Sequence, residues 1–301
     1  MSDNTMLEQQ IDPDAIIGRS VNTRWWVDIG DTHLGSQFAV TPPNGFLVDG
    51  GARVPPNPLQ RVINEFWEEF WHKCHKVMGN ESFILTHKGD VIEGHHHRSK
   101  EAISFNFKDQ RFNAEALLLP HTSKAERVWF ARGTPAHAGE ESEHEEEVAR
   151  ACGAQQDYAG RYTWPMVKFD WNGLWVNVAH HIGVSGVSAS QATAVMAEVA
   201  EMQRWAGKMG IRVPDIITRG HRHSSTGVWD LTPHGVSWSA TTPGWQGRTG
   251  YTMKQKGGRT SELCVGGLLW EYSDTWGAIP HPIHCFILEN DGDPRIVRGV
   301  G

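Results

Sequence analysis

Several short stretches of this chain bring carboxylates and imidazoles close together. They are Asp31-Thr32-His33, Asp90 after Gly89, His180-His181, and Gly220-His221-Arg222-His223; His137 follows a Gly133-Thr134 turn. Carboxylates and neutral imidazoles together form borderline sites suited to Mn, Fe, Zn, Co or Ni. An Asp-x-His pair puts both side chains on one side of an extended turn, where they reach one ion. A His-x-His pair can feed two neighbouring ions, and a lone carboxylate between them can bridge. Two ions about 3.5–4 Å apart clamp a phosphoryl group and lower the pKa of a bound water.

Each of these clusters follows a stretch that reads as a strand. The strands are Thr23 to Ile29 (TRWWVDI), Ser82 to Thr86 (SFILT), Arg127 to Ala131 (RVWFA), Leu174 to Ala179 (LWVNVA) and Asp215 to Thr218 (DIIT). Helices are predicted between them. From Pro58 to Met78 the apolar residues recur every three or four positions up to Gly79, and residues 109–119, 140–153 and 189–209 read as helices too. Residues 34–57, rich in Gly and Pro, read as a long surface loop. Beyond 226 the pattern is strand-like, over 226–231, 235–241, 261–271 and 283–288, with an Asn290-Asp291-Gly292 turn before a last strand. Strand and helix alternate, then strands follow, which predicts α/β layers whose sheet is completed by late strands. In open α/β sheets ligands bind outside the carboxyl ends of the strands. Polar residues at five strand ends therefore mark a site. No linker splits the chain, so the expected organisation is a leader over 1–22 and a single domain over 23–301.

Composition removes other classes. The 301 residues are 39% apolar and 21% charged, as in an ordinary globular protein. No apolar run approaches the roughly 20 residues that span a membrane. The polar, acidic stretch from Met1 to Asp14 does not read as a signal peptide, so a cytoplasmic location is expected. Cys74, Cys152, Cys264 and Cys285 are scattered and read as reduced core thiols. A formal charge of −7 argues against a broad non-specific nucleic-acid surface, but not against a local basic groove.

The motifs together resemble the calcineurin-like metallophosphoesterases. DIGDTHLG (28–35), GDVIEG (89–94), the histidines at 180–181 and GHRH (220–223) stand in the family's order at strand ends, across about two thirds of the chain. The resemblance implies two face-to-face mixed β-sheets flanked by helices, a four-layer αββα sandwich. It implies two divalent metal ions, Mn first, with Fe, Zn, Ni or Co as alternatives. Asp31 and His33 would bind the first ion and Asp90 would bridge both. His221 would bind the second ion and His223 the first. The remaining ligand of the second ion is His180 or His181; His180 is preferred because it follows directly on its strand. The implied reaction is hydrolysis of a phosphate ester by a hydroxide held between the ions, and the partner is that substrate.

The sequence departs from the family at Gly133-Thr134-Pro135-Ala136-His137, where the family has Gly-Asn-His followed by Asp or Glu. The Asn is absent. His137 is either the displaced general acid or the substitute ligand, and Thr134 could hold a metal-bound water. In this variant the chain resembles phage-encoded members. Glu93 stands where the family often has Asp.

Three further stretches bear on substrate. His95-His96-His97 lie close enough to the second motif to reach the site. The acidic run from Glu140 to Glu147 reads as the solvated first turns of a helix, or else as an acidic wall. Residues 246–260 carry Arg248, Lys254, Lys256 and Arg259 with no acidic residue, together with Tyr251, and could grip a phosphodiester through charge and stacking. A phosphodiesterase acting on nucleic acid or a nucleotide is therefore the first expectation. A phosphomonoesterase of the same superfamily is the second, and a non-catalytic scaffold with a degenerate site is the alternative of another class.

Overall fold

The computed structural model describes residues 18–95, 100–182, 191–232, 235–250, 264–290 and 293–298. Strand β1 (Gly18–Val21) leads to β2 (Trp25–Ile29) and a small hairpin of β3 (Phe46–Leu47) and β4 (Arg53–Val54). Helix α1 (Pro58–Met78), β5 (Phe83–His87), helix α2 (Phe107–Thr122) and β6 (Arg127–Ala131) follow. Two short helices, α3 (Pro135–Ala138) and α4 (Glu143–Ala151), precede β7 (Thr163–Trp164), β8 (Val167–Trp171) and β9 (Leu174–Ala179). Helix α5 (Gln191–Met209) and β10 (Ile216–Arg219) complete the alternating part. The rest is strand: β11 (Thr226–Thr232), β12 (Gly235–Thr241), β13 (Cys264–Ser273), β14 (Gly277–Asn290) and β15 (Asp293–Arg298).

Among the described residues these strands form two large mixed sheets. One runs β1-β8-β9-β10-β12-β11 and the other β15-β14-β13-β2-β5-β6-β7. The alternation of side chains along β2 explains how they meet. Trp26 stacks on Trp270 of its own sheet with ring centroids 5.4 Å apart, and meets Phe169 and Trp171 of the other sheet edge-on. These rings and Ile84, Trp129, Val167, Val176, Val178 and Ile216 form one core shared by both sheets. Trp25, Val27 and Ile29 point the other way, into a second core with α1, α2 and α4. Helix α5 lies against β11 and β12.

Helix α1 starts where Pro58 follows a reciprocal cap. Asn57 Oδ1 accepts from the Gln60 N–H and Gln60 Oε1 from the Asn57 N–H. Of its buried stripe, Phe66, Trp67 and Phe70 pack on Trp245, and Trp71 meets Trp67 and Phe70 edge-on.

The structure corrects several expected elements. The stretch at 34–57 contains the β3–β4 hairpin, held by Asn113, which accepts from the Leu47 N–H and donates to the Leu47 carbonyl, each at 2.8 Å. The helix expected over 140–153 is shorter, Glu143–Ala151, because Ser142 at φ 60° precedes its first turn; α3 lies upstream of the expected range. Strand β14 is much longer than the predicted 283–288. Pro280 and Pro282 interrupt its sequence pattern but, among the described residues, lie where it pairs only with β13; β15 joins its other side from Cys285 onward. A proline lacks an N–H and is tolerated on such an open edge. Strand β1 pairs with β8, so residues 18–21 of the expected leader enter a sheet.

One titratable group in this scaffold lies well away from the strand-end clusters. The His121 ring lies flat on Trp71, with centroids 3.9 Å apart. Burial first, then the charges of His75 and Lys124, push it down to about 3. Between about pH 3 and 6.5 the unfolded chain therefore binds a proton that the folded chain does not, and stability is lost as pH falls. His121→Phe keeps the stack and removes the proton. Urea unfolding at pH 7, 6 and 5 should show a shallower loss in this variant, by up to about 1.4 kcal/mol per pH unit. Parallel profiles for the two chains would mean that the stacked ring stays protonated.

Candidate metal centre

The two sheets bring the carboxyl ends of β2, β5, β6, β9 and β10 to one place, because β2, β5 and β6 run parallel in one sheet and β9 and β10 in the other. Beyond β2 and β5 the pairing continues through the turns. Asp31 N donates to Gly89 O, His33 N to Asp90 O and Leu34 N to Val91 O, each at 2.9 Å. Asp31, His33, Asp90, His221 and His223 have φ between 44° and 66°. Among the described residues only Ser142 and Asn172 join them as non-glycine residues with positive φ. That conformation costs about 1–3 kcal/mol per residue and persists only where the surroundings over-determine it. Here it swings each side chain back across its strand end toward a common centre.

Asp90 lies at that centre. Its Oδ2 is 3.1 Å from His180 Nε2 and 4.0 Å from both His33 Nε2 and His137 Nε2. On one side Asp31, His33 and His223 gather: His223 Nε2 is 3.2 Å from His33 Nε2 and 3.3 Å from Asp31 Oδ1. On the other side are His180, His181 and His221, with His180 Nε2 3.2 Å from His221 Nδ1. Metal–ligand distances of about 2.0–2.2 Å put neighbouring donors about 3 Å apart around an ion. These groups thus have the atoms and the spacing to hold metal ions, and the mixed carboxylate–imidazole set suits the borderline divalent metals.

The tautomers agree with ligand duty. His180 Nδ1 lies 2.7 Å from the Lys88 carbonyl, which can only accept, so Nδ1 carries a proton and Nε2 faces Asp90; without metal Nε2 donates a second proton there, and toward an ion it would turn its lone pair. His180 is buried whereas His181 is exposed. His33 turns Nδ1 toward Glu93 Oε2 at 3.5 Å, and Gln246 Nε2 donates to the same carboxylate oxygen at 2.9 Å. The electrostatics favour positive charge. Burial works against protonation of His180, yet Asp90 and Asp31 outweigh it and push the ring up to about 10. Burial works against charge on Asp31 and Asp90 as well, but the imidazoles, His180 foremost, hold both below the usual carboxylate range. His221 is pushed down to about 4 by burial and by the charge of His180.

The structure brings Asp31, His33, Asp90, His137, His180, His221 and His223 together. Arg248 is half-buried and lies two residues beyond Gln246, which donates to Glu93. Lys254 and Lys256 fall outside the described residues, as do Tyr251, Arg259, His96 and His97. His95 is exposed and its ring meets Phe105. Thr134 donates from N (2.7 Å) and Oγ1 (3.0 Å) to Asp90 Oδ1, so its hydroxyl aligns the carboxylate itself.

The acidic run departs from the expected solvated helix turn. Glu145 is fully buried: Oε1 accepts from the Val91 N–H and Oε2 from the Gly133 N–H, both at 2.8 Å. It thereby clamps the turns that carry Asp90 and Thr134. Burial first, then the charge of Asp90, push its carboxyl up to about 7. Glu146 accepts from the backbone of Tyr162 and Thr163. A signal for Glu145 was present in the sequence, since it precedes the apolar Val148 and Ala149 by three and four positions. Gly89 and Gly133 permit the clamp: a Cβ on Gly89 would lie 2.4 Å from Gly133 N, and one on Gly133 would lie 2.3 Å from Asp90 N.

Comparisons with known proteins add little. No family model and no curated protein matches the chain. Among solved structures it is similar to a conserved uncharacterized protein of Streptococcus pneumoniae TIGR4, described as a predicted phosphoesterase. The TM-score is 0.32 and the identity 9%, over 92% of this chain and 99% of that one. Likeness at this level carries no weight for function, which rests on the site itself. No helix among the described residues is long and apolar enough to cross a membrane.

Replacing Glu145 by Ala would orphan the buried Val91 N–H and the part-buried Gly133 N–H, at about 1–3 kcal/mol for a fully buried group. Urea unfolding of Glu145→Ala should show a loss of about 2–4 kcal/mol. A loss under about 0.5 kcal/mol would mean that water or another group takes over both bonds.

Proposed function

We propose that this chain is a metal-dependent phosphoesterase with two ions around Asp90, and that phosphodiesters are its preferred substrates. The convergence of Asp31, His33, Asp90, His180, His221 and His223 on one point, most of them in strained backbone, carries this reading. A scaffold that had lost its chemistry would gain nothing from holding that strain. The order of the motifs, which resembles the calcineurin-like metallophosphoesterases, supports the same reading, including the layered fold of that superfamily. Two bound ions would supply phosphoryl clamping and an acidified water, with Asp31, His33 and His223 holding one and His180 and His221 the other.

The chain's own groups supply the rest. Thr134 and the Glu145 clamp hold Asp90 in one orientation. His137 Nδ1 lies 2.5 Å from the Glu93 carbonyl, so its proton sits on Nδ1 and Nε2 faces the centre. From there it can exchange a proton with the leaving oxygen. In its doubly protonated form it gives the Nε2 proton to the leaving oxygen and keeps Nδ1–H on the Glu93 carbonyl, and so serves as general acid in a position displaced from the family's.

The diester preference rests on where the basic stretch begins and ends. Trp245 N donates to Asp31 O at 2.8 Å, Gln246 reaches Glu93, and Gly250 N donates to Glu101 Oε1 at 2.7 Å. The chain returns at Cys264, next to Val265, which bridges to Gly244. The described residues on either side of Lys254 and Lys256 thus attach beside the centre, and the positive charge of this stretch of sequence suits a phosphate backbone.

Hydrolysis of an aryl phosphodiester and the matching monoester, with added Mn²⁺, tests this reading. Wild type should turn over the diester faster, and Asp90→Asn should lose at least about a hundredfold in kcat, or about 2.7 kcal/mol. Monoester preference would move the assignment to a phosphomonoesterase. Absence of both turnover and bound metal would leave the scaffold.

A further inference from the structure

His87 is the last residue of β5, fully buried, and its ring stacks on Phe130 with centroids 5.1 Å apart. No part of the site described so far uses it. Its two nitrogens are both engaged. The Gly89 N–H donates to Nδ1 at 3.2 Å, and Nε2 lies 3.1 Å from Thr32 Oγ1. The Thr32 hydroxyl in turn donates to the Val91 carbonyl at 2.9 Å. These bonds allow one arrangement of protons. Because Nδ1 accepts, the ring is uncharged and its proton sits on Nε2, donated to a hydroxyl whose own proton is already committed.

The string Gly89 to His87 to Thr32 to Val91 joins the two turns that carry the carboxylates. Thr32 lies between Asp31 and His33, while Gly89 and Val91 flank Asp90. The backbone ladder fixes the same turns along the strand direction. The imidazole fixes them through side chains, at a point where Asp31, His33 and Asp90 all adopt left-handed backbone.

We infer that His87 is a positioning residue, an uncharged link that sets how Asp31 and Asp90 stand relative to each other. It rests on the metal-centre reading only for its consequence, the affinity for metal. Groups of this kind around metal ligands typically change affinity by about 10–100-fold when removed.

The test uses the full chain labelled with ¹⁵N-histidine. In the metal-free protein, long-range proton–nitrogen NMR should find a buried imidazole protonated at Nε2 alone, and that signal should vanish in His87→Phe. Gly89 amide exchange should be at least about tenfold faster in His87→Phe than in wild type. Mn²⁺ titration followed by electron paramagnetic resonance should then show a coupled pair of ions in wild type. In His87→Phe, half-saturation should need at least about tenfold more Mn²⁺. His87→Asn offers an amide oxygen to the Gly89 N–H and should recover most of the affinity. Thr32→Val cuts the string at its other end and should match the Phe variant. Circular dichroism confirms that each variant is folded before comparison. A ring protonated at Nδ1, or folded His87→Phe with wild-type Mn²⁺ affinity and wild-type Gly89 exchange, would overturn the inference. A wild type that binds no Mn²⁺ pair would instead sink the dinuclear reading, and the tautomer and the Gly89 exchange would still decide the link.

Discussion

The site depends on one constraint: two turns that follow parallel strands must stay paired after the strands have ended. Asp31, His33 and Leu34 continue to donate to Gly89, Asp90 and Val91 after the regular ladder of β2 and β5 stops. This pairing holds three residues in left-handed backbone and turns their side chains to the same point. Without it each residue would relax to an extended conformation and the carboxylates would point apart. The glycines at 89 and 133 are needed because the next turn lies in contact with them.

Beneath the centre the protein spends polar groups that look wasteful in isolation. Lys88 and Asp28 form a fully buried ion pair at 2.6 Å, and Thr86 donates to the same Asp28 oxygen while accepting from the Trp26 indole. Burial pushes the Lys88 ammonium down, with Asp28 opposing. A buried pair of this kind contributes little net stability, but breaking it would leave a lone charge in the core. Its value here is placement. The Lys88 carbonyl fixes the tautomer of His180, and a Cβ on Gly30 or Gly220 would meet the Lys88 side chain at 2.9 and 3.4 Å. Arg219 does the same for β10: buried, it donates to the carbonyls of Asn177 and Thr218 and to Glu198 of α5, one residue before Gly220 and two before His221.

Much of this was legible in the sequence. Short apolar runs and period-three-to-four patterns located strands and helices, and the polar residues at strand ends located the centre. The failures have physical causes. Pro280 and Pro282 disguise β14, because whether a proline fits a strand depends on which edge is open. Glu145 sits in a run of acids whose exposed members, such as Glu141 and Glu147, have the same chemistry but no N–H groups facing them from the turns of Asp90 and Gly133. His87 falls between the predicted strand, which ends at Thr86, and the GDVIEG motif, and its use appears only when Thr32, 55 positions away, comes within 3.1 Å.

By itself the sequence determined the kind of chemistry: which donors exist, their order along the chain and their places at strand ends. Those follow from residue type and local periodicity, which a linear chain carries in full. Only the tertiary structure decided which donors share a centre, which nitrogen of each imidazole faces it, and which carboxylates serve as clamps. Proton placement and charge are settled by partners far away in sequence: Lys88 for His180, Glu93 for His137 and Asp90 for Glu145. Burial and distance create those energies, and neither exists until the two sheets have packed together.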